Sequence, residues 1–182
     1  TSIKFYCIGS YEVEDRIAVR QAIIKATEPV IRMFKGMREN NLLTDEQIVL
    51  LVRDYYSTCS FYDMARTGGL DAYGTLVTRK SVCQGQATAL NYILTNIGIP
   101  CKMASNSKMG HGWNVVTIDG MDYNFCVTSA GTKRQGKLSH DYTLVSTEDY
   151  IVKRLGGKVE VATAGKTVEY VFDKYMDQMT GG

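Results

Sequence analysis

Two side chains offer covalent chemistry in this sequence: the thiol of Cys83 and the imidazole of His111. Cys83 lies in the run Ser81-Val82-Cys83-Gln84-Gly85-Gln86-Ala87-Thr88-Ala89-Leu90. Beyond it Ala87, Leu90, Ile93, Leu94 and Ile97 recur at helical spacing, until Gly98 and Pro100 stop the run. That spacing predicts a helix of roughly four turns with Cys83 in its first turn. The unpaired N–H groups there favour an anion, so a thiol in that place gives up its proton more readily and becomes a nucleophile. The plain alternative is a small buried residue at a helix start, since free cysteines are often buried.

His111 opens a second stretch, Gly110 to Thr128, which reads as two strands joined at Asp119-Gly120, a strong hairpin signal. With a two-residue turn, Ile118 faces Met121 and the register runs outward. Trp113 then faces Cys126 and His111 faces Thr128. The period of two puts His111, Trp113, Val115, Asn124, Cys126 and Thr128 on one face. Cys126 becomes the diagonal neighbour of His111, roughly 7 Å away by backbone spacing. A cysteine at a helix start and a histidine on a following strand are the reactive parts of a thiol acyl-transfer site.

The stretches "SVCQGQATALNYILTNIGIPCKM" and "GHGWNVVTIDGMDYNFCVT" resemble the core of the transglutaminase-like family, a branch of the papain-like thiol enzymes. The segments "DEQIVLLVRDYYSTCSFYD", "DAYGTLVTRK" and "YTLVSTEDYIVKRL" are similar to it too, so the likeness spans roughly residues 40 to 155. Val-Cys-Gln-Gly followed by Gly-His-x-Trp-Asn is its most specific part. The resemblance implies that Cys83 is the nucleophile and His111 the base. It implies an acyl transfer through a Cys83 thioester, resolved by water in a cysteine protease or amidase, or by an amine in a protein-crosslinking transglutaminase. We expect hydrolysis of a peptide or carboxamide bond in a peptide or protein substrate, with no cofactor. The rival expectation is a catalytically impaired domain that binds a protein or peptide in the old cleft.

In the family an aspartate on the next strand orients the histidine, and that position here is Cys126. A neutral thiol is a weak acceptor and cannot fix the imidazole tautomer as a carboxylate does. Three readings follow. Cys83 and His111 act as a dyad, with Asn124 or Thr128 orienting the ring. Alternatively catalysis is lost, or Cys126 acts itself, as a second thiol or in a disulfide with Cys83. The Cys83 backbone N–H is one candidate oxyanion donor. Gln84, Tyr73 and Tyr62 are candidates for the second donor and the cleft wall. Trp113 either roofs the pair or is a core aromatic under the hairpin. His140, in a polar loop, is read as exposed and inert. Cys7, Cys59 and Cys101 are read as structural.

The elements that must position this pair suggest an α+β fold, with a helical N-terminal half and the Cys83 helix packed on a small antiparallel sheet. Residues 3 to 8 read as an edge strand. Ser10 caps a helix that Pro29 kinks or divides and that ends near Arg38. Thr44 and Gln47 form a capping box for a helix ending near residues 57 to 60. Residues 61 to 80 are loop-rich, either a wall of the cleft or a plain surface connection. A strand over 99 to 105 and a turn over 106 to 108 precede the hairpin. A loop over 128 to 137 and a brief strand over 142 to 145 follow it. Beyond them come a helix over 147 to 155 capped by Ser146, a strand at 159 to 161, and a helix or strand over 167 to 179. The expected organisation is one domain over 1 to 182, with a core of roughly 40 to 155 and a helical extension over 1 to 39.

Composition bounds the function classes. At 182 residues, 45% hydrophobic and 22% charged, the chain can bury a sizeable core. A net charge of +2 without charge runs gives no reason to expect nucleic acid or a membrane surface. Five scattered cysteines, no C-x-x-C pair and only two histidines argue against structural zinc. No apolar run reaches the length of a membrane span and no signal peptide is visible. The chain opens on Thr1, the pattern of a trimmed or mature fragment. Composition sets no compartment and no oligomeric state. The resemblance favours an extracellular or cell-surface setting.

Overall fold

The computed structural model describes residues 13–65, 69–106, 110–130, 142–146 and 150, with the backbone alone at 13, 14 and 130. The expectations for residues 3–8, the Ser10 cap, His140, the turn at 107–108, the body of the helix over 147–155 and both later elements lie outside these residues. So does Cys7.

The first helix, α1 (Val13–Glu39), runs unbroken through Pro29. The sequence argument for a division there is corrected: one missing N–H is outweighed by packing along the rest of the helix. Ile23, Val30, Ile31, Phe34 and Met37 all join the core on this helix. The next helix, α2 (Asp45–Cys59), starts as expected. Thr44 Oγ1 accepts the Gln47 N–H, and Gln47 Oε1 accepts the Thr44 N–H at 2.9 Å. Arg38 at the end of α1 grips Asp45 through two parallel bonds of 2.6 and 3.0 Å, which fixes the angle between the helices.

Residues 61–65 and 69–80 are more ordered than a loop-rich composition suggests. They hold β1 (Phe61–Tyr62), a five-residue helix α3 (Ala72–Leu76) capped by Asp71, and β2 (Lys80–Ser81), with β1 and β2 parallel. They are also more than a surface connection, because they are wedged against the start of α4 (Cys83–Ile97). The Val82 N–H bonds to Gly69 O at 3.2 Å. A Cβ on Gly85 would lie 2.1 Å from Gly69 O and 2.8 Å from Asp71 O, so only glycine fits that turn of α4.

The strands β3 (Cys101–Asn106), β4 (His111–Ile118) and β5 (Met121–Phe125) form an antiparallel sheet in that order. Asp119 and Gly120 have φ of 51° and 77°, the mirror-image turn whose twist suits a two-residue hairpin. Ile118 pairs with Met121 and Asn114 with Phe125, the register that the turn predicts. The alternation separates two apolar clusters. Val116, Ile118 and Phe125 join α1, α2 and α4 in the main core. Trp113, Val115 and Cys126 pack with Val145 and Tyr150 on the opposite face. The strand expected at 142–145 is reduced to a single bridge between Asn124 and Val145. The α+β architecture, with the Cys83 helix on a small antiparallel sheet, is thus as expected. Among the described residues no helix is long and apolar enough to cross a membrane.

Candidate active site

Cys83 is the first residue of α4, and its N-cap Val82 has no side chain able to bind the first-turn amides. His111 is the first residue of β4, opposite Asn106. Two clamps hold helix and sheet in register. Asn114, 1% exposed, donates from Nδ2 to Ala87 O at 2.8 Å. Thr128, in a 3-10 turn after β5 (Thr128–Ala130), donates its hydroxyl to Gln86 Oε1 at 2.6 Å.

Hydrogen bonding of the Cys83 thiol to the neighbouring His111 side chain is the largest cause of a pKa drawn down from the ordinary 9.0 to about 7. Partial burial works against that shift. The backbone N–H groups of Gly112 and Gln84 support it by bonding the sulfur, and the charge of an imidazolium at 111 adds to it. A thiol titrating near neutral pH is substantially thiolate there, the form that attacks carbonyl carbon. Cys101 is the contrast: burial pushes its pKa up to about 12 despite a bond from Asn114.

The other side of the imidazole is occupied as the hairpin register requires. His111 Nε2 lies 3.2 Å from the Cys126 sulfur. Cys126 is 1% exposed and also receives the Ser129 hydroxyl at 3.2 Å. Asn124, offered above as an orienting group, uses its amide differently. Its Oδ1 accepts the Trp113 indole N–H at 2.7 Å, and its Nδ2 donates to Val145 O at 3.3 Å. Thr128 has left the strand for Gln86.

Cys83 and His111 open on one cleft of about 440 Å³. Helix α4 contributes Cys83 and Gln84, the end of β3 contributes Met103 to Asn106, and Gly110 to Gly112 close the third side. Gln84 therefore stands in the wall. Trp113 and Tyr73 are not among the lining residues. Trp113 is the core aromatic of the two readings given above. It is buried between the His111 ring, at 6.1 Å between centroids, and Tyr150, at 4.9 Å. Tyr73 belongs to α3, where its carbonyl accepts the Val77 and Thr78 amides.

Sequence reasoning did not pick out Gly112, Asn114 or Ser129. The first acts through its backbone and leaves no side-chain signal. Asn114 stood in the Gly-His-x-Trp-Asn run and could have been found as the polar residue on the core face of β4. Ser129 lies three residues beyond Cys126, past the strand, where no periodicity reaches.

The family model of the transglutaminase-like superfamily matches residues 36–143, more than half of the chain. A solved structure described as the crystal structure of a TGase superposes with a TM-score of 0.51 at 18% identity, over 76% of this chain and 38% of that one. At that identity the likeness concerns the fold, and this chain corresponds to well under half of that protein. No curated protein matches the sequence.

Proposed function

The chain belongs to the transglutaminase-like superfamily, a family of thiol-dependent enzymes, and from that premise we propose that it is a cysteine amidase or protease working through a Cys83 thioester. One observation carries the reading: Cys83 at a helix start and His111 on the facing strand line a single cleft, where the imidazole draws the thiol pKa down to about 7. In the proposed reaction the Cys83 thiolate attacks a carboxamide or peptide carbonyl. The Cys83 backbone N–H at the helix start and Gln84 in the wall are the donors at hand for the oxyanion. Imidazolium His111 protonates the departing nitrogen, then takes a proton from the water that resolves the thioester.

Cys126 takes the part of an orienting residue. In this reading His111 Nε2 carries the proton and donates to the Cys126 sulfur 3.2 Å away, which also accepts the Ser129 hydroxyl. The opposite ring nitrogen is then left for Cys83. That tautomer needs no carboxylate, and the Ser129 hydroxyl helps to hold the sulfur in place.

Incubation with acetyl-Gln-amide, followed by ammonia release and mass analysis of Cys83, tests the reading. A transient acyl adduct on Cys83, absent in Cys83→Ser, is expected. Free acid as the product in the presence of methylamine supports hydrolysis, whereas the methylamide makes the protein a transglutaminase. The substitution of the family's aspartate by Cys126 favours a second reading, a binding domain without catalysis. Absence of any adduct on a chain whose Cys83 alkylates readily at neutral pH would establish that alternative.

A further inference from the structure

Among the described residues the outer side of β3 is an unfilled ladder that runs into the cleft. Thr117 N–H bonds to Pro100 O at 2.9 Å, and Cys101 pairs with Val116. Hydrogen-bonded pairs in an antiparallel ladder recur every second residue, so Lys102, Ala104 and Asn106 turn their amides and carbonyls toward β4. Cys101, Met103 and Ser105 turn theirs the other way. Among the described residues no strand pairs with that side, since the sheet order leaves β3 at its edge.

Edge strands are ordinarily blunted by charge or proline. Here both devices stand at the far end, as Pro100 and as Lys102, which is paired with Asp122 at 2.6 Å. The four residues nearest the nucleophile, Met103 to Asn106, carry no charge and form one wall of the Cys83 cleft. Met103 is 42% exposed, and its sulfur meets the Thr88 hydroxyl of α4 at 3.5 Å, which makes an apolar ledge between helix and edge.

We propose that the outer edge of β3, at Met103 and Ser105, docks an extended peptide as a fourth strand that leads into the Cys83 cleft. Main-chain bonds to the edge supply the affinity, and every second side chain of the peptide lies over Met103, which selects for apolar groups there. The chemistry rests on the function proposed above, while the docking does not. A peptide can pair with β3 whether or not Cys83 attacks it.

The probe is acetyl-Val-Thr-Val-Gln-Val-Thr-amide, added to the inert Cys83→Ser chain with amide exchange followed by NMR. In the free chain the Met103 and Ser105 amides should exchange quickly and those of Lys102 and Ala104 slowly. Peptide should protect Met103 and Ser105. N-methylation of the peptide should weaken binding about fivefold at alternate positions and little at the positions between, the cost of one net hydrogen bond. Ser105→Pro, which an outward-facing edge position tolerates, should weaken binding by a similar factor with an unchanged circular dichroism spectrum. If that variant does not fold, the N-methyl series on the unaltered edge decides. Protection of Met103 and Ser105 in the free chain would mean that another segment or a second copy already holds the edge, and would overturn the proposal. So would a peptide that fails to bind, one that binds without protecting them, or an N-methyl series lacking the period of two. Turnover of acetyl-Gln-amide without edge docking would sink this inference alone. Edge docking without a Cys83 adduct in the unaltered chain would sink the catalytic reading alone.

Discussion

His111 Nε2 rests 3.2 Å from the sulfur of Cys126, on the side of the ring where the family places a carboxylate. The contact follows from a hairpin register that two residues, Asp119 and Gly120, set by their turn. If the sulfur orients the ring, removing it must release the imidazole. Cys126→Ala should lower kcat by about 10² or more, within the roughly 10⁴ that the orienting residue of a serine triad can contribute, with a smaller effect on KM. Ser129→Ala should lower kcat in the same sense by less, because it loosens the position of the sulfur without deleting it. Steady-state kinetics on acetyl-Gln-amide, with stability checked by urea unfolding, distinguishes lost positioning from lost folding. Unchanged kcat in Cys126→Ala would detach Cys126 from the mechanism.

The lowered Cys83 pKa has a direct readout. Because the thiolate is the nucleophile, the rate of alkylation by iodoacetamide should rise with pH through a midpoint near 7, the value at which Cys83 titrates. His111→Gln removes the largest cause of that shift, so the midpoint should move up toward 9.0. Cys101, pushed up to about 12 by burial, should stay unlabelled across the same range. Mass mapping of the alkylated chain checks all three. Another cysteine labelling ahead of Cys83 at pH 7 would refute the nucleophile assignment.

Gly85 gives a test whose sign is unusual. Glycine to alanine inside a helix ordinarily stabilises by up to about 1 kcal/mol. Here the added carbon meets two backbone oxygens, at 2.1 and 2.8 Å, that cannot swing aside as a side chain would. Gly85→Ala should therefore destabilise, by about 2 to 4 kcal/mol. It should also slow Cys83 alkylation, because the carbon pushes the first turn of α4 away from the 69–71 segment. Urea unfolding monitored by circular dichroism measures the first effect. A neutral or stabilising outcome would mean that the segment gives way and does not fix the nucleophile.

The parts of this site that rest on periodicity were legible in the sequence. The 3.6-residue stripe from Ala87 to Ile97 placed Cys83 at a helix start, and the period of two around Asp119-Gly120 put Cys126 beside His111. Features set by close approach were not legible. Five residues of α3 are too few to show a stripe, so a buttress read as loop. Pro29 looked like a break because local bonding was weighed without the packing that carries α1 through it. Trp113 could be placed on the correct face beside Asn124, but its stacking partner Tyr150 comes from chain far away in sequence. The partner of Asn114, Ala87, is likewise distant in sequence, and Ser129 lies past the end of the strand where no periodicity reaches.

Restoring the family's carboxylate asks whether the position or the thiol is what matters. A charge placed at 126 would be almost fully buried, and such a charge costs several kcal/mol unless it is paired. The partner within reach is His111, so Cys126→Asp should fold with the imidazole drawn into an ion pair and its NMR titration moved to higher pH. The sign follows from linkage: a nearby anion favours the protonated ring, so more base is needed to remove the proton. Cys83 should respond in turn, since a cationic His111 further favours its thiolate and moves the alkylation midpoint below 7. Activity should then equal or exceed that of the unaltered chain if Cys126 serves only to orient the ring. If Cys126 takes part as a thiol, activity should vanish although the pair of charges forms and the fold persists. A variant that folds with both His111 and Cys83 titrating as before would show that residue 126 does not act on the ring.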